Sequence, residues 1–249
     1  MTNSDSEQSE GVSFPSFHDR NAELTDADKS RIRLATVTRQ LILDSFMSTA
    51  QIDDIDTAIA HISKALESIN APGGIPGSAA AESHFTDRSP FYGAMNPLSM
   101  PMTMEKDDSV GEFGSISGTA TFTEPYEGPP GHVHGGYIAA AFDEVLGMTQ
   151  SLTGRPGMTG TLTIKYRAPT PLHQEIVYRG WVDRIEGRKI FTKGTSHIGD
   201  ILCAEAEAVF LSMPTELMDK LRKGRDLSGP AQYTLSLHDA LPIYRKSVV

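Results

Sequence analysis

The 249-residue chain holds one cysteine, Cys203, and one tryptophan. A lone thiol excludes an internal disulfide framework and a cysteine-built metal site. Cations are also scarce: 22 Lys and Arg stand against 32 Asp and Glu, a net charge of −10. That balance argues against nucleic acid, whose phosphates demand clustered cations, and against an anionic membrane surface. No stretch approaches the roughly 20 apolar residues of a transmembrane helix. The opening MTNSDSEQSEGVS lacks the basic flank and apolar centre of a secretory signal. The expectation is a cytoplasmic protein with neither nucleic acid nor membrane as a partner. Hydrophobic residues at 39% and charged residues at 22% fit an ordinary globular chain.

Residues 1–23 are rich in Ser, Asp, Glu and Gln, the composition of a disordered tail. Thr25, with Asp28 three positions on, is a variant capping box, and Ile32, Ala35, Leu41, Ile42 and Phe46 follow roughly on one face. Ile52, Ile55, Ile59, Ile62, Leu66 and Ile69 then recur three and four apart without a break, one face of a second helix. Asn70-Ala-Pro-Gly73 ends it. Residues 24–70 are therefore expected to be an N-terminal helical hairpin, an appendage or an oligomer contact. Residues 71–89 carry the Gly, Pro, Ala and Ser of a linker.

From 90 to 213 the pattern changes. Strand-like stretches lie near Leu98–Glu105 and Gly111–Thr123, a helix near Gly136–Leu152, and strands near Gly160–Arg167, Glu175–Ile185, Lys189–His197 and Ala204–Leu211. Leu162, Ile164 and Tyr166 alternate with Thr161, Thr163 and Lys165, and Ala with Glu over 204–208, the period of half-buried strands. Glu186-Gly187 suits a hairpin turn. One helix followed by four meandering strands predicts an antiparallel sheet with helices on one side, an α+β fold. A C-terminal tail covers 214–249. Its end, AQYTLSLHDALPIYRKSVV, reads as translated adapter sequence, so 232–249 is expected to be non-native, and no function is drawn from it.

Chemistry concentrates between Pro125 and Glu144. Gly128-Pro-Pro-Gly131 forms an irregular approach, His132-Val-His134-Gly-Gly136 follows, and an apolar helix then carries the pair Asp143–Glu144. A carboxylate on a buried helix needs partners or a function. The first N–H groups of a helix lack internal partners and sit at its positive end, and glycines there let a substrate atom approach a developing-oxyanion site. Gly135 and Asp143 lie eight residues apart, about 12 Å along a helix at 1.5 Å per residue. One reacting carbon cannot touch both, so a shared reaction requires two subunits about a two-fold axis. His132 and His134 have an H-x-H spacing, but no ligand cluster supports them, and neither metal nor cofactor is expected.

His-Gly-Gly opening an apolar helix, with Asp nine residues after the His, resembles the hotdog-fold acyl-CoA thioesterases. The branch is the one holding phenylacetic-acid-pathway (PaaI-type) enzymes and mammalian mitochondrial thioesterase-superfamily proteins. Gly128-Pro-Pro-Gly131, Leu162-Thr-Ile-Lys-Tyr-Arg-Ala-Pro-Thr-Pro-Leu172 and Glu186-Gly-Arg-Lys189 resemble that group too. The resemblance covers about residues 90–213. It implies a long helix wrapped by a curved antiparallel sheet, sheets joined edge to edge in a dimer or a dimer of dimers, and hydrolysis of acyl-CoA to free acid and CoA at the dimer interface. It places Asp143 as general base or nucleophile, the Gly135 N–H as the donor to the thioester carbonyl, His134 as a residue shaping the site, and Thr159 as a hydroxyl helping to position water. Several relatives carry Asn six residues before the His. Gly128 stands there, with Glu127 or Tyr126 as alternative sources of polarity. Gly136 is placed beside the substrate, and Arg167, Arg188 and Lys189 are candidates for the CoA phosphates. Glu144 is expected to be structural or interfacial. Two rivals remain: a hotdog enoyl- or hydroxyacyl-thioester hydratase, and a non-catalytic acyl-CoA-binding protein.

Overall fold

The computed structural model describes residues 24–69, 87, 89–100, 102–155 and 157–213. The expected disordered start, most of the linker and the tail from 214 onward, including 232–249, lie outside the described residues. Six strands form one antiparallel sheet: β1 Met102–Asp107, β2 Ser115–Thr121, β3 Gly157–Tyr166, β4 Glu175–Glu186, β5 Lys189–Ile198 and β6 Ile201–Ser212. Helix α3, Gly135–Ser151, packs on one face of it. The N-terminal helices are α1, Asp26–Phe46, and α2, Ile52–Ile69. This is the α+β arrangement that the resemblance implies. β1 begins later than the sequence pattern suggests, because residues 97 and 98 form a turn.

The strand order is β1-β2-β4-β5-β6-β3. The expectation of a four-strand meander is thus corrected: only β4, β5 and β6 meander, and β3 pairs with β6 at the sheet's edge. The chain leaving β3 runs back past the start of α3, where the Val133 N–H donates to Thr170 O (2.9 Å) and the Leu172 N–H to Gly131 O (3.0 Å). Leu172 is buried there and pins the connection. At the β4–β5 hairpin, Gly187 has φ 58° as first residue of the two-residue turn, a conformation glycine adopts without strain.

The sheet receives α3 in a transverse groove. Ile116, Gly180, Gly194 and Ala206 are partners in register across β2, β4, β5 and β6. A Cβ on Gly180 would lie 2.5 Å from Thr149 Oγ1 and 3.1 Å from Val145 Cγ1, and one on Gly194 would lie 3.1 Å from Leu146 Cδ2. The two glycines therefore let the backbone of the sheet approach the helix. Ile138, Phe142, Val145, Leu146 and Thr149, at helical spacing, fill the contact and are all buried. Each large side chain in that set contributes about 1.5–3 kcal/mol of burial free energy. Phe142 also meets the Tyr178 ring edge-on, with centroids 5.2 Å apart.

α1 begins as its capping box predicts: Thr25 Oγ1 accepts from the Asp28 N–H (3.2 Å), and the Asp28 carboxylate accepts from the Thr25 N–H (3.1 Å). It is tied to the domain by Arg39, which donates to Asn96 O (2.8 Å) and to Ser99 Oγ (3.2 Å). α2 has no buried residue, and among the described residues no extensive packing joins it to another element. The two helices expected from the sequence are therefore present, but the α2 stripe is left open.

The segment 89–100 covers one flank of α3. Ser99 and Met100 are buried, and Phe91 and Tyr92 pack on the core. Its Ser89 hydroxyl donates to Glu144 Oε1 at 3.4 Å. Burial raises the Glu144 carboxyl to about 7, the Ser89 bond lowers it, and the neighbouring Asp143 charge adds to the rise. A carboxyl raised from 4.5 on folding gives stability that is fully present below about 4.5 and lost as pH climbs through about 7.

Two measurements test this packing. Gly180→Ala is expected to lower the unfolding free energy by about 1–3 kcal/mol through overpacking against Thr149, read by chemical denaturation. Glu144→Gln is expected to gain stability relative to the parent protein at pH 8 compared with pH 5, by on the order of 2 kcal/mol. A difference between the two proteins that stays constant across that range would contradict the burial of Glu144.

Candidate active site

The approach loop is held by its own backbone. The Glu127 carboxylate accepts the Gly131 N–H (2.5 Å), Gly131 takes φ 73°, and the Gly128 N–H donates to His132 O (2.9 Å). His132 Nδ1 donates to Pro130 O (2.8 Å). Glu127, which the sequence offered as a source of polarity, has one carboxylate oxygen engaged in holding the loop. A Cβ on Gly128 would lie 2.7 Å from His134 Cα. A side chain at position 128 therefore has no room unless the loop shifts.

The loop delivers His134 as the N-cap of α3 with extended backbone (φ −62°, ψ 131°). Its Nδ1 accepts the Gly136 N–H at 3.0 Å. An accepting Nδ1 assigns the ring proton to Nε2 and leaves the Nε2–H as a donor on an exposed ring. His134 O accepts from the Tyr137 and Ile138 N–H groups. Of the first four N–H groups of the helix, only that of Gly135 has no partner among the described residues. The geometry thus singles out Gly135 as the open donor at the positive end of α3. Gly136, placed beside the substrate by the resemblance, has its N–H occupied by the cap.

Asp143 and Thr159 are brought together: the Thr159 hydroxyl donates to Asp143 Oδ1 at 2.9 Å, the only hydrogen-bond partner of that carboxylate among the described residues. The register explains how. Along β3 the pairing with β6 shifts between Thr159 and Thr161, leaving Gly160 as the extra residue of a bulge. Without it, Thr159 would point to the same face as Thr161 and Thr163. The bulge moves it to the face of Leu162 and Ile164, against α3, a common use of bulges. Asp143 is half-buried and faces this edge strand, whereas Glu144 faces the 89–100 segment. The carboxyl that burial raises is that of Glu144, whereas Asp143 is held by the Thr159 hydroxyl on the β3 side of the helix.

Tyr166 was missed by sequence reasoning. Its hydroxyl donates to Gly135 O at 2.8 Å. The peptide joining Gly135 and Gly136 is consequently held at both ends, its carbonyl by Tyr166 and its N–H by His134. Gly135 is also where a Cβ would press on Tyr166, 3.1 Å from the hydroxyl oxygen and 3.3 Å from Cζ. The alternation of β3 did place Tyr166 on the helix side, and that was the available signal.

The three candidate cations do not converge within one chain. Arg167 follows β3 and pairs with Glu205 (2.6 Å). Arg188 and Lys189 lie at the β4–β5 hairpin, where the Arg188 Nε donates to Ser212 O (3.0 Å). Ser212 pairs with Gly157 at the opposite end of β3, so about 30 Å of strand separates the two groups at 3.3 Å per residue. Among the described residues, no group of three or more His, Cys, Asp or Glu side chains is placed to hold a metal ion, and no helix is long and apolar enough to cross a membrane.

Comparison with known proteins places this architecture. The thioesterase superfamily family model matches residues 130–204, which include the helix start, Asp143, Thr159 and Tyr166. An acyl-coenzyme A thioesterase THEM4 from Xenopus laevis is 40% identical over 92 residues, 36% of this chain and 41% of the relative. An acyl-coenzyme A thioesterase THEM5 from Homo sapiens is 34% identical over 92 residues, 36% of this chain and 37% of the relative. The chain thus spans about two fifths of the length of these curated relatives. The crystal structure of protein RHA08564, a thioesterase superfamily protein, superposes with a TM-score of 0.60 at 31% identity, covering 73% of this chain and 94% of that one. With that breadth of match and the shared helix-on-sheet architecture, the chain belongs to the thioesterase superfamily.

Proposed function

We propose that the chain hydrolyses acyl-CoA thioesters to free acid and CoA at a site shared by two protomers. One observation carries the reading: the same helix presents one unpartnered N–H at Gly135 and one hydroxyl-held carboxylate at Asp143, separated by about 12 Å. Those are the two halves of an acyl-transfer site, and neither serves alone. The curated relatives named acyl-coenzyme A thioesterases support the choice of substrate. The edge position of β3, with Met158 and Tyr166 more than half exposed, supports a second copy alongside it.

In this reading the Gly135 N–H and the helix end receive the thioester oxygen as it becomes an oxyanion. Asp143 of the second protomer, oriented by Thr159, takes a proton from water while the water oxygen adds to the acyl carbon, or it attacks that carbon directly to form a mixed anhydride that water then cleaves to free acid and the restored carboxylate. The C–S bond then breaks and CoA leaves as thiolate. A thiol with an ordinary ionisation near about 8.5 needs no strong general acid. The Tyr166 hydroxyl fixes the peptide plane next to the oxyanion donor. A two-fold axis that sets Gly135 beside the partner's Asp143 also carries the partner's Arg188 and Lys189 toward this chain's Arg167, the end where the CoA phosphates would lie.

Thiol release from short, long and aromatic acyl-CoAs is the test. Asp143→Asn is expected to lower kcat by about 10²–10⁴-fold with an unchanged melting temperature. Unchanged turnover of every substrate would sink the assignment, and crotonyl-CoA hydration without thiol release would reassign the protein to the hydratases. Tyr166→Phe is expected to lower kcat about tenfold, equivalent to about 1.4 kcal/mol of transition-state stabilisation, and to leave KM within a factor of two. A rise in KM alone would make Tyr166 a binding residue instead.

A further inference from the structure

α2 is the element that the proposed reaction does not use. It is an 18-residue helix with no buried residue. Ile52, Ile59, Leu66 and Ile69 are each more than half exposed, Ile55 is exposed, and Ile62 is half-buried. Most helical stability in proteins comes from packing an amphipathic face, and a contiguous apolar stripe marks an interaction surface. α1 does not cover it.

The spacing identifies the kind of partner. A helix facing a globular core carries a broad stripe of three or four apolar residues per two turns, whereas α2 repeats 3-4-3-4-3, the narrow seam of a coiled coil. Ile52, Ile59 and Leu66 occupy one heptad position, and Ile55, Ile62 and Ile69 the other. The seam is flanked on one side by Ala58 and Ala65, small enough for close approach of a second helix. The polar face is acidic, with Asp53, Asp54, Asp56 and Glu67 against Lys64. Helices that lie on lipid carry Lys and Arg on that face, so an anionic bilayer is disfavoured.

We propose that α2 is a self-association helix that pairs antiparallel with α2 of a second copy of this chain. Charge sets the direction. Parallel pairing would gather Asp53, Asp54 and Asp56 of both chains at one end, six carboxylates together. Antiparallel pairing sets each acidic end beside the half bearing Lys64 and also opposes the two helix dipoles. The two-fold axis then passes between Ile59 and the partner's Ile62, and Ala58 faces the partner's Ala65. The seam holds two and a half heptads over about 27 Å, and it links two of the proposed sheet-edge dimers.

Sedimentation equilibrium of the full chain over a dilution series tests this. Replacing Ile59→Asp together with Ile62→Asp is expected to halve the mass or to raise the dissociation concentration at least tenfold, with the domain's melting transition retained. The chain bearing both Ala58→Cys and Ala65→Cys is expected to form disulfide-linked dimers under oxidation, while neither single variant does. In the antiparallel pair, Ala58 and its copy are displaced by five residues and Ala65 and its copy by nine, about 7 and 13 Å along the helices, beyond disulfide reach. An unchanged mass across the series overturns the proposal. So does cross-linking through Ala58→Cys alone. Loss of binding to phosphatidylserine vesicles at unchanged mass also overturns it and assigns the stripe to a lipid surface. The sheet-edge dimer that would hold the catalytic site survives in the Ile59→Asp, Ile62→Asp variant, so thiol release from acyl-CoA is retained there, and self-association and catalysis are separately decided.

Discussion

The close approach of α3 to the sheet is the constraint on which the rest depends. Gly180 and Gly194, paired across β4 and β5, remove the side chains that would hold the helix away. Phe142, Val145, Leu146 and Thr149 then reach the sheet. Because that face of the helix is fixed, the remaining faces are fixed too. One carries Glu144 against the 89–100 segment, and the other carries Gly135 and Asp143 along β3. The position of the candidate site groups is in this sense a by-product of two missing methyl groups.

Most of the fold was legible because its signals are local. The Ala204, Ala206 and Ala208 alternation, the Gly187 turn and the Thr25 capping box each follow from residues a few positions apart, and each is present. The position of β3 was not legible. Local pattern says that a strand exists, but its neighbour is decided by a crossover that depends on Leu172 and on the backbone bonds between 131–133 and 170–172. The site was legible to the same extent. The spacing from Gly135 to Asp143 is a property of one helix and could be computed from residue numbers. The contact between Thr159 and Asp143 depends on a bulge at Gly160, and strand alternation alone puts that hydroxyl on the wrong face.

The pair of adjacent acids shows how a 100° turn divides labour. Asp143 keeps one hydroxyl partner and is partly exposed. Glu144, one residue on, is pressed against a covering segment, and burial pushes its carboxyl toward neutrality. Sequence reasoning sought the costly carboxylate at the reactive position. The structure places the raised, buried carboxyl at the neighbour, and Asp143 keeps the Thr159 hydroxyl as its partner on the β3 side. Glu127 is a similar case, since its charge is occupied within the loop that sets His134 in place.

The strand β3 touches α3 at both ends of the candidate site, through Tyr166 at Gly135 and through Thr159 at Asp143. It therefore acts as a ruler laid along the helix. A slip of one residue in its pairing with β6 would turn Tyr166 and Thr159 outward together, however intact the core remained. Insertions or deletions within residues 160–165 are thus far more damaging than their effect on stability suggests. The bulge at Gly160 is the single graduation on that ruler that brings the two marks onto the same side.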